Sequence, residues 1–105
     1  MSDRWSVYIV ECADSTLYTG VARSVRARLI AHNRGKGARY TRGRLPVRLL
    51  YQEDDMSKGE AQRRESAIKR LQRKEKLRLI DEGPPTRHWL ALAGPKEKAG
   101  RRRPV

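Results

Sequence analysis

Phenylalanine is absent from this chain, cysteine occurs once, and aromatic residues make up only 6% of its 105 positions. A chain this short, with so few large apolar side chains, can bury one modest core, so we expect a single small domain. The lone Cys12 excludes an internal disulfide, and with two distant histidines, His32 and His88, it has no zinc-ligand spacing. We interpret Cys12 as a small apolar strand residue.

Long apolar runs and acidic residues are also scarce. No apolar stretch approaches the roughly 20 residues of a membrane span, and the first residues lack the apolar core of a secretory signal, so we expect a cytoplasmic protein. The 12 acidic residues are outnumbered by 25 lysines and arginines, which gives a formal net charge of +13. Such a charge favours polyanionic partners, with nucleic acid ahead of a membrane surface, but it identifies no reaction.

Three segments have the composition of β-strands. "WSVYIVEC", Trp5 to Cys12, is apolar on both alternating faces, which predicts a strand buried on both sides. The polar "ADST" after it predicts a hairpin to a second strand at 17–21. Gly20, which has no Cβ, would let that strand end sharply and let a phosphate come close. "VRLLYQE", residues 47–53, predicts a third strand, and the acidic residues 53–55 predict a turn after it.

Capping signals predict two or three helices. Ser24 is a suitable N-cap, and the glycine-rich segment that follows predicts the end of a helix over about 24–34. "SKGE", Ser57 to Glu60, has the form of a capping box and predicts a second helix that runs to about Leu71. Residues 74–80 either extend it or form another helix, and the lack of apolar residues before them favours a break.

Two basic segments are too polar for the core. Residues 33–46 contain three glycines and no acidic residue, which predicts a cationic loop. The candidates for nucleic-acid contact in it, with the tyrosine able to stack on a base, are Arg34, Lys36, Arg39, Tyr40, Arg42 and Arg44. Residues 84–105 are Pro-rich and basic, so we expect a flexible, partly disordered extension after a domain of residues 1–83. No base-reading motif is visible, so weak sequence preference and strong salt dependence are expected.

Glu65 lies at the edge of the core-facing side of the second predicted helix, about 60° from Ile68. One interpretation is a border position at which the carboxylate pairs with Arg64 or Lys69. The other is that the helix directs Glu65 at a metal or a proton in a shallow site on the sheet face. The pattern alone is compatible with both.

Taken together, these features resemble the signature of the GIY-YIG nuclease superfamily. "VYI" at 7–9 and "YTG" at 18–20 correspond to its two tripeptides, with valine and threonine in place of the usual glycine and isoleucine. Arg28 follows ten residues after the second tyrosine, His32 four residues further on, and Glu65 on a later helix. About three quarters of the chain is similar to the small stand-alone bacterial proteins of this superfamily. The resemblance implies an α+β fold in which helices flank a three-stranded antiparallel sheet with the site on one face.

The resemblance also implies roles for these residues. Glu65 would hold one divalent ion, Mg²⁺ or Mn²⁺, and Arg28 would bind the scissile phosphate. Tyr18 would activate the water, while Tyr8 and His32 would orient it or relay the proton, and these three roles are exchangeable. The implied protein is a nuclease, monomeric by default, that acts on DNA rather than RNA, on branched, damaged or single-stranded forms in repair or recombination.

Two other functions are compatible with the same sequence. A nucleic-acid-binding module that keeps the fold but cleaves poorly is favoured by a missing asparagine. Many superfamily members carry one after the glutamate helix, whereas the single asparagine here is Asn33. An interaction protein that docks on a larger assembly is also compatible, because basic tails bind acidic protein surfaces. Salt-sensitive DNA binding without products would favour the binding module, and no affinity for nucleic acid would favour the interaction protein.

Overall fold

A computed structural model of the chain describes residues 4–84. The described part contains three strands and four helices, in chain order β1 (Trp5–Glu11), β2 (Leu17–Ala22), α1 (Val25–Asn33), α2 (Arg39–Arg42), β3 (Arg48–Met56), α3 (Lys58–Lys69) and α4 (Arg73–Glu82). The strands form one antiparallel sheet in the order β2-β1-β3. The predicted α+β fold with a three-stranded antiparallel sheet is therefore confirmed.

The chain forms two compact units. The first ends at Arg70 and holds the sheet with α1, α2 and α3, and the second begins at Leu71 and holds α4. Between residues 4 and 84 no helix is both long and apolar enough to cross a membrane. The predicted domain of residues 1–83 stays a prediction, and the predicted basic extension lies, apart from Pro84, outside the described residues.

Strand β1 forms the centre of the sheet and is buried on both faces, as its composition predicted. Val7, Ile9 and Val10 are fully buried. Val10 belongs with Tyr8 to a cluster of buried side chains that also includes residues of β2 and α1. Helix α3 packs against β1 and β2 and buries its own apolar stripe. Helices α1 and α3 therefore both pack on the strands that carry Tyr8 and Tyr18.

Local capping interactions start three of the helices. Ser24 accepts a hydrogen bond of 3.1 Å from a backbone N–H in the first turn of α1. Ser57 and Glu60 form the predicted capping box of α3, in which each side chain accepts from the other's backbone N–H. At the start of α4 the Glu75 side chain accepts from the Gln72 backbone N–H at 2.9 Å. The predicted break after the helix of Glu65 is confirmed, because α3 ends at Lys69 and α4 begins at Arg73.

Both outer strands are longer than predicted. Strand β2 does not end at Gly20 but pairs with β1 as far as Ala22, which lies opposite Ser6. Strand β3 continues to Met56, so the acidic residues 53–55 lie inside a strand and not in a turn. Each carboxylate has a hydrogen-bond partner that stabilises it there. Glu53 and Asp55 each accept from an arginine, and Asp54 accepts from a serine hydroxyl and a glutamine amide.

The cationic segment 33–46 is more ordered than the predicted loop. It contains the short helix α2, and Thr41 in that helix is fully buried. Asn33 joins the start of the segment to Val47, the residue before β3, since its amide oxygen accepts from the Val47 N–H at 2.8 Å and its amide nitrogen donates to the Val47 carbonyl at 3.1 Å. The prediction that this segment is too polar for the core is therefore wrong at Thr41.

Candidate active site

The hairpin register brings Tyr8 and Tyr18 to the same face of the sheet. Tyr8 pairs with Gly20 and Val10 pairs with Tyr18, so the two tyrosines are diagonal neighbours with ring centroids 6.5 Å apart. A Cβ at position 20 would lie 2.6 Å from the Tyr8 hydroxyl oxygen, so the absence of a side chain leaves room for this ring. The role of Gly20 toward a phosphate stays a prediction.

His32 lies one helical turn after Arg28 on α1 and is fully buried against both tyrosines. Its ring is edge-on to Tyr8 and Tyr18, with centroid distances of 5.9 and 5.5 Å. Its Nε2 atom is 2.8 Å from the Tyr8 hydroxyl oxygen. Gly37 gives the ring its space, because a Cβ there would lie 2.2 Å from the imidazole Nδ1.

Thr41 determines the direction of the hydrogen bonds around His32. The Thr41 hydroxyl donates to the Ala38 carbonyl at 2.9 Å, so its oxygen accepts the proton of His32 Nδ1, also at 2.9 Å. In a neutral ring Nε2 is then an acceptor, and it receives the proton of the Tyr8 hydroxyl. Burial, and after it the charge of Arg28, lowers the pKa of His32, which favours this neutral form.

The Tyr8 hydroxyl is the point at which the predicted catalytic side chains converge. Burial raises the pKa of Tyr8 to about 12, and the nearby Tyr18 and Glu65 add to this increase. Hydrogen bonding and charge from the Arg28 guanidinium oppose it. Tyr8 therefore holds its proton near neutral pH, and the other three side chains lie within electrostatic reach of its oxygen.

Glu65 approaches this group from α3. Its side chain is 21% exposed, and its Oε2 lies 3.2 Å from the Nζ of Lys69, one helical turn further on. Lys69 Nζ also lies 5.9 Å from the ring centroid of Tyr18. Glu65 therefore pairs with Lys69, as the first interpretation predicts, and it lies near enough to Tyr8 to raise that group's pKa. Its role toward a metal or a proton stays a prediction.

Two of the six predicted nucleic-acid contacts adjoin the tyrosines. The Tyr40 ring is stacked on Tyr18 with a centroid distance of 5.8 Å, and the Cζ atom of Arg44 lies 4.1 Å from the Tyr40 ring centroid. Asp14 holds Arg44 in place, since Arg44 Nε donates to Asp14 Oδ2 at 3.0 Å. The other four are exposed side chains of the same segment: Arg34, Lys36, Arg39 and Arg42.

Sequence reasoning missed three residues that shape this site. Gly37 and Thr41 position His32, and Asp14 orients Arg44. The one feature that sets Thr41 apart in the sequence is that it carries an uncharged hydroxyl between arginines. This pattern matches no known motif, so it does not indicate a contact with His32. Asp14 and Arg44 are 30 positions apart, so only the folded chain reveals their contact.

The donor atoms suit one hydrated divalent ion better than an ion enclosed by protein ligands. Within residues 4–84 no group of three or more histidine, cysteine, aspartate or glutamate side chains is placed to hold a metal. Glu65 offers one partly exposed carboxylate. Mg²⁺ is commonly bound by one or two carboxylates while water and phosphate oxygens complete its octahedron, and Mn²⁺ takes similar ligands. A single, partly exposed carboxylate therefore fits either ion.

The chain is similar to proteins that share a known domain. The GIY-YIG family, described as a GIY-YIG catalytic domain, matches residues 4–78. A UPF0213 protein of Staphylococcus epidermidis is 54% identical over 81 residues, which cover 77% of this chain and 99% of the relative. The solution NMR structure of a UPF0213 protein from Bacillus halodurans is 40% identical, covers 90% of this chain and 92% of that chain, and has a TM-score of 0.49. The solution NMR structure of a protein from E. faecalis is 34% identical, with coverages of 73% and 82% and a TM-score of 0.52.

Proposed function

The chain belongs to the GIY-YIG catalytic domain family, among the small UPF0213 proteins, and on this premise we propose that it is a divalent-metal-dependent nuclease that hydrolyses phosphodiester bonds in DNA. The observation that carries the proposal is the convergence of an arginine, a carboxylate and a buried histidine on one pair of tyrosines. These are the groups that phosphodiester hydrolysis needs for charge stabilisation and proton transfer.

Arg28 is the proposed ligand of the scissile phosphate. Its guanidinium is permanently charged and presents forked donors that can engage two phosphoryl oxygens at once. It lies close enough to the Tyr8 hydroxyl to lower that group's pKa, so a phosphate bound by Arg28 would sit beside the tyrosines. The same charge would stabilise the additional negative charge of the transition state.

Tyr18 is the proposed acceptor of the proton from the attacking water. In the reaction the water oxygen bonds to phosphorus while its proton passes to Tyr18, which must first have lost its own proton to solvent. The bond to the leaving sugar oxygen breaks, and that oxygen takes up a proton from solvent water. Tyr18 contacts its neighbours through its ring, which leaves its hydroxyl able to face the substrate. Tyr8 is less suited, because its proton is donated to His32 and its pKa is raised to about 12.

Tyr8 and His32 are proposed to act as one unit. The neutral His32 Nε2 accepts from Tyr8, so the Tyr8 oxygen can receive a second proton only as it passes its own to the imidazole. This arrangement permits a relay that carries a proton away from the attacking water. It also holds the Tyr8 oxygen in a fixed position, where it can orient that water.

Glu65 is the proposed ligand of the divalent ion, Mg²⁺ or Mn²⁺. When bound, the ion would neutralise charge on the phosphoryl oxygens and lower the pKa of a nearby water or phenol. Glu65 would exchange its contact with Lys69 for this ligand, at small cost because the Lys69 side chain is 51% exposed and such ion pairs are weak. Lys69, once released, could contact a substrate phosphate.

The proposed substrate is DNA in a branched, damaged or single-stranded form, in repair or recombination. The formal net charge of +13 supports a polyanionic substrate, and four exposed basic residues lie on the segment that carries Tyr40. RNA is the competing substrate, and a direct comparison of the two separates them.

A non-catalytic nucleic-acid-binding module with this fold is the second candidate. It is favoured by the Glu65–Lys69 ion pair of 3.2 Å, which occupies the carboxylate that the nuclease reaction requires. In such a protein the basic surface would bind nucleic acid, and Glu65 would serve only as a partner of Lys69.

The test measures cleavage of labelled single-stranded, duplex and branched DNA, and matching RNA, in Mg²⁺ and in Mn²⁺. Glu65→Gln should lower the cleavage rate by about 10²-fold to 10³-fold while binding is retained, because it keeps the side-chain size but removes the charge. Glu11→Gln is the matched control, since Glu11 is 25% exposed and pairs with Arg48 at 2.9 Å, as Glu65 pairs with Lys69.

Two results would contradict the nuclease proposal. If the wild-type protein binds these substrates and cuts none of them, the binding module is the better account. If both Glu65→Gln and Arg28→Ala cut as fast as the wild type, the cleavage comes from a contaminating enzyme.

A further inference from the structure

A groove that includes Arg28 is otherwise formed by side chains that the proposed reaction does not use. Its volume is about 440 Å³, within the range of ligand sites, and its wall includes Trp5 from β1, Val21 from β2 and Ala31 from α1. Arg28 is part of the same wall. The groove and the proposed phosphate site therefore adjoin each other through one side chain.

Trp5 provides this groove with an aromatic surface that has two cations near its ring. The Cζ atom of Arg23 lies 5.8 Å from the Trp5 ring, and the Nζ atom of Lys58 lies 5.5 Å from it. Both distances are near the outer limit of a cation–π contact, and both cations are exposed, so a flat ligand could displace either of them. Among the described residues that line the groove, none is acidic.

We propose that this groove binds an unpaired nucleobase of the substrate, next to the phosphate held by Arg28, by stacking the base on Trp5. The aromatic ring suits the face of a base, and the displaced Arg23 and Lys58 can contact the phosphates on either side of it. The inference rests on the proposed function, because the phosphate at Arg28 places the neighbouring base at the groove.

The position predicted from sequence for base stacking, Tyr40, offers less room than Trp5. Its ring is already stacked on Tyr18, and the Arg44 guanidinium lies 4.1 Å from its centre. A base in an intact duplex is stacked on its neighbours and cannot enter the groove unless it is extruded. The groove therefore favours single-stranded DNA, or branched DNA with unpaired bases, over intact duplex.

The fluorescence of Trp5 reports on this contact directly. The chain has two tryptophans, so the Trp89→Phe variant leaves Trp5 as the only one. Titration of this full-length variant with a single-stranded oligodeoxynucleotide, in EDTA so that no cleavage occurs, should quench the Trp5 emission. Duplex DNA of the same length should quench it much less.

Substitution of Trp5 tests the energetic contribution of the stack. Trp5→Ala should weaken binding of the single strand by about 5-fold to 100-fold, and Trp5→Phe should weaken it less, because base–aromatic stacking depends on ring area. Leu49→Ala is the control, since it shortens an apolar side chain on β3 that is 38% exposed. An abasic site moved along the strand should at one position reproduce the loss caused by Trp5→Ala, and the two losses should not add.

The outcomes separate this inference from the proposed function. If the single strand binds but does not quench Trp5, and Trp5→Ala binds as well as the wild type, the groove does not hold a base while the nuclease proposal stands. If Trp5→Ala unfolds, as its circular dichroism would show, the quenching of Trp5 and the loss of affinity in Lys58→Ala decide instead. If no DNA or RNA binds at all, both proposals fail.

Discussion

Two side-chain clusters on this sheet are built from the same residue types, a tyrosine, an arginine and a glutamate, but they differ in how fully these groups are paired. In the first, Glu53 on β3 accepts three hydrogen bonds of 2.8 to 2.9 Å from Arg64 and a further one from the Tyr51 hydroxyl. The Glu53 side chain is only 9% exposed. Burial raises the pKa of Tyr51, and the bonds to Glu53 raise the pKa of Arg64.

The second cluster, of Tyr8, Arg28 and Glu65, is left partly open. Glu65 is more exposed than Glu53, and its ion-pair partner Lys69 is itself half exposed. The Arg28 guanidinium lies near the Tyr8 hydroxyl, a neutral group, and lowers that group's pKa. Groups in this state can exchange their partners for a phosphate or a cation, whereas those around Glu53 cannot do so without breaking a buried ion pair.

Adjacent residues on one helix serve the two clusters. Arg64 and Glu65 are consecutive on α3, so their side chains point about 100° apart around the helix axis. Arg64 turns to β3 and Glu65 turns to the tyrosines. The same residue types therefore hold the fold in one place and, on our proposal, carry out chemistry in the other, depending on which partners the fold supplies.

The largest expected difference separates the two glutamates. Glu53→Gln should lower the free energy of unfolding by about 1–3 kcal/mol, because the Arg64 guanidinium, which is 35% exposed, loses its buried carboxylate partner. Glu65→Gln should change it by less than about 1 kcal/mol, because the pair it breaks is partly exposed, although the cleavage rate should fall by about 10²-fold to 10³-fold. Urea unfolding of both variants together with a cleavage assay measures this, and equal losses of stability would remove the distinction between the clusters.

Replacement of Arg28 by lysine should affect cleavage much more than folding, as we expect for the partly open cluster. Arg28→Lys should reduce cleavage by about 10-fold to 100-fold with little effect on folding, because a lysine cannot engage two phosphoryl oxygens as a fork. Arg26→Lys, on the same helix, should cleave as the wild type does. Single-turnover kinetics with saturating DNA measures the effect, and equal rates for the two variants would exclude Arg28 as the phosphate ligand.

The hydrogen-bonded histidine should show a smaller, mainly structural effect. Thr41→Val should lower the free energy of unfolding by about 1–3 kcal/mol, since it leaves the buried His32 Nδ1–H without an acceptor. Thr41→Ser retains the hydroxyl and should recover most of this loss. NMR shifts of the His32 ring nitrogens should show a single Nδ1–H tautomer in the wild type, and an Nε2–H tautomer would contradict the assigned direction.

The smallest expected effect is the pH dependence that His32 contributes. Its pKa in the folded state lies below the usual value of 6.5, so between the two values the unfolded chain binds more protons. The contribution of His32 to stability is therefore fully present above pH 6.5 and falls as the pH drops below it. Urea unfolding at several pH values should show that the free energy of unfolding of His32→Gln changes less steeply with pH than that of the wild type. An NMR titration that gives His32 an unshifted or raised pKa would refute this prediction.

The sequence predicted the fold best where the signals are local. The apolar run of β1, the Ser24 cap and the capping box at Ser57 each depend on residues within a few positions of one another, and all three are confirmed. It predicted least well where partners are distant. The acidic residues after Gln52 resembled a turn because their partners on α3 and near the N-terminus were not apparent from neighbouring residues.

Taken alone, the sequence determined which residues are available for chemistry and which elements carry them. Spacing was sufficient to assign Tyr8 and Tyr18 to a hairpin and Arg28 with His32 to one helix flank. Only the tertiary structure decided that Thr41 places the imidazole proton on His32 Nδ1. Only the tertiary structure decided that Glu53, and not Glu65, forms an ion pair with an arginine. The physical reason is the distance along the chain between the residues that interact. Helix caps and strand patterns depend on near neighbours, whereas the Tyr8–His32 bond joins residues 24 positions apart, whose distance exists only after the whole core has packed.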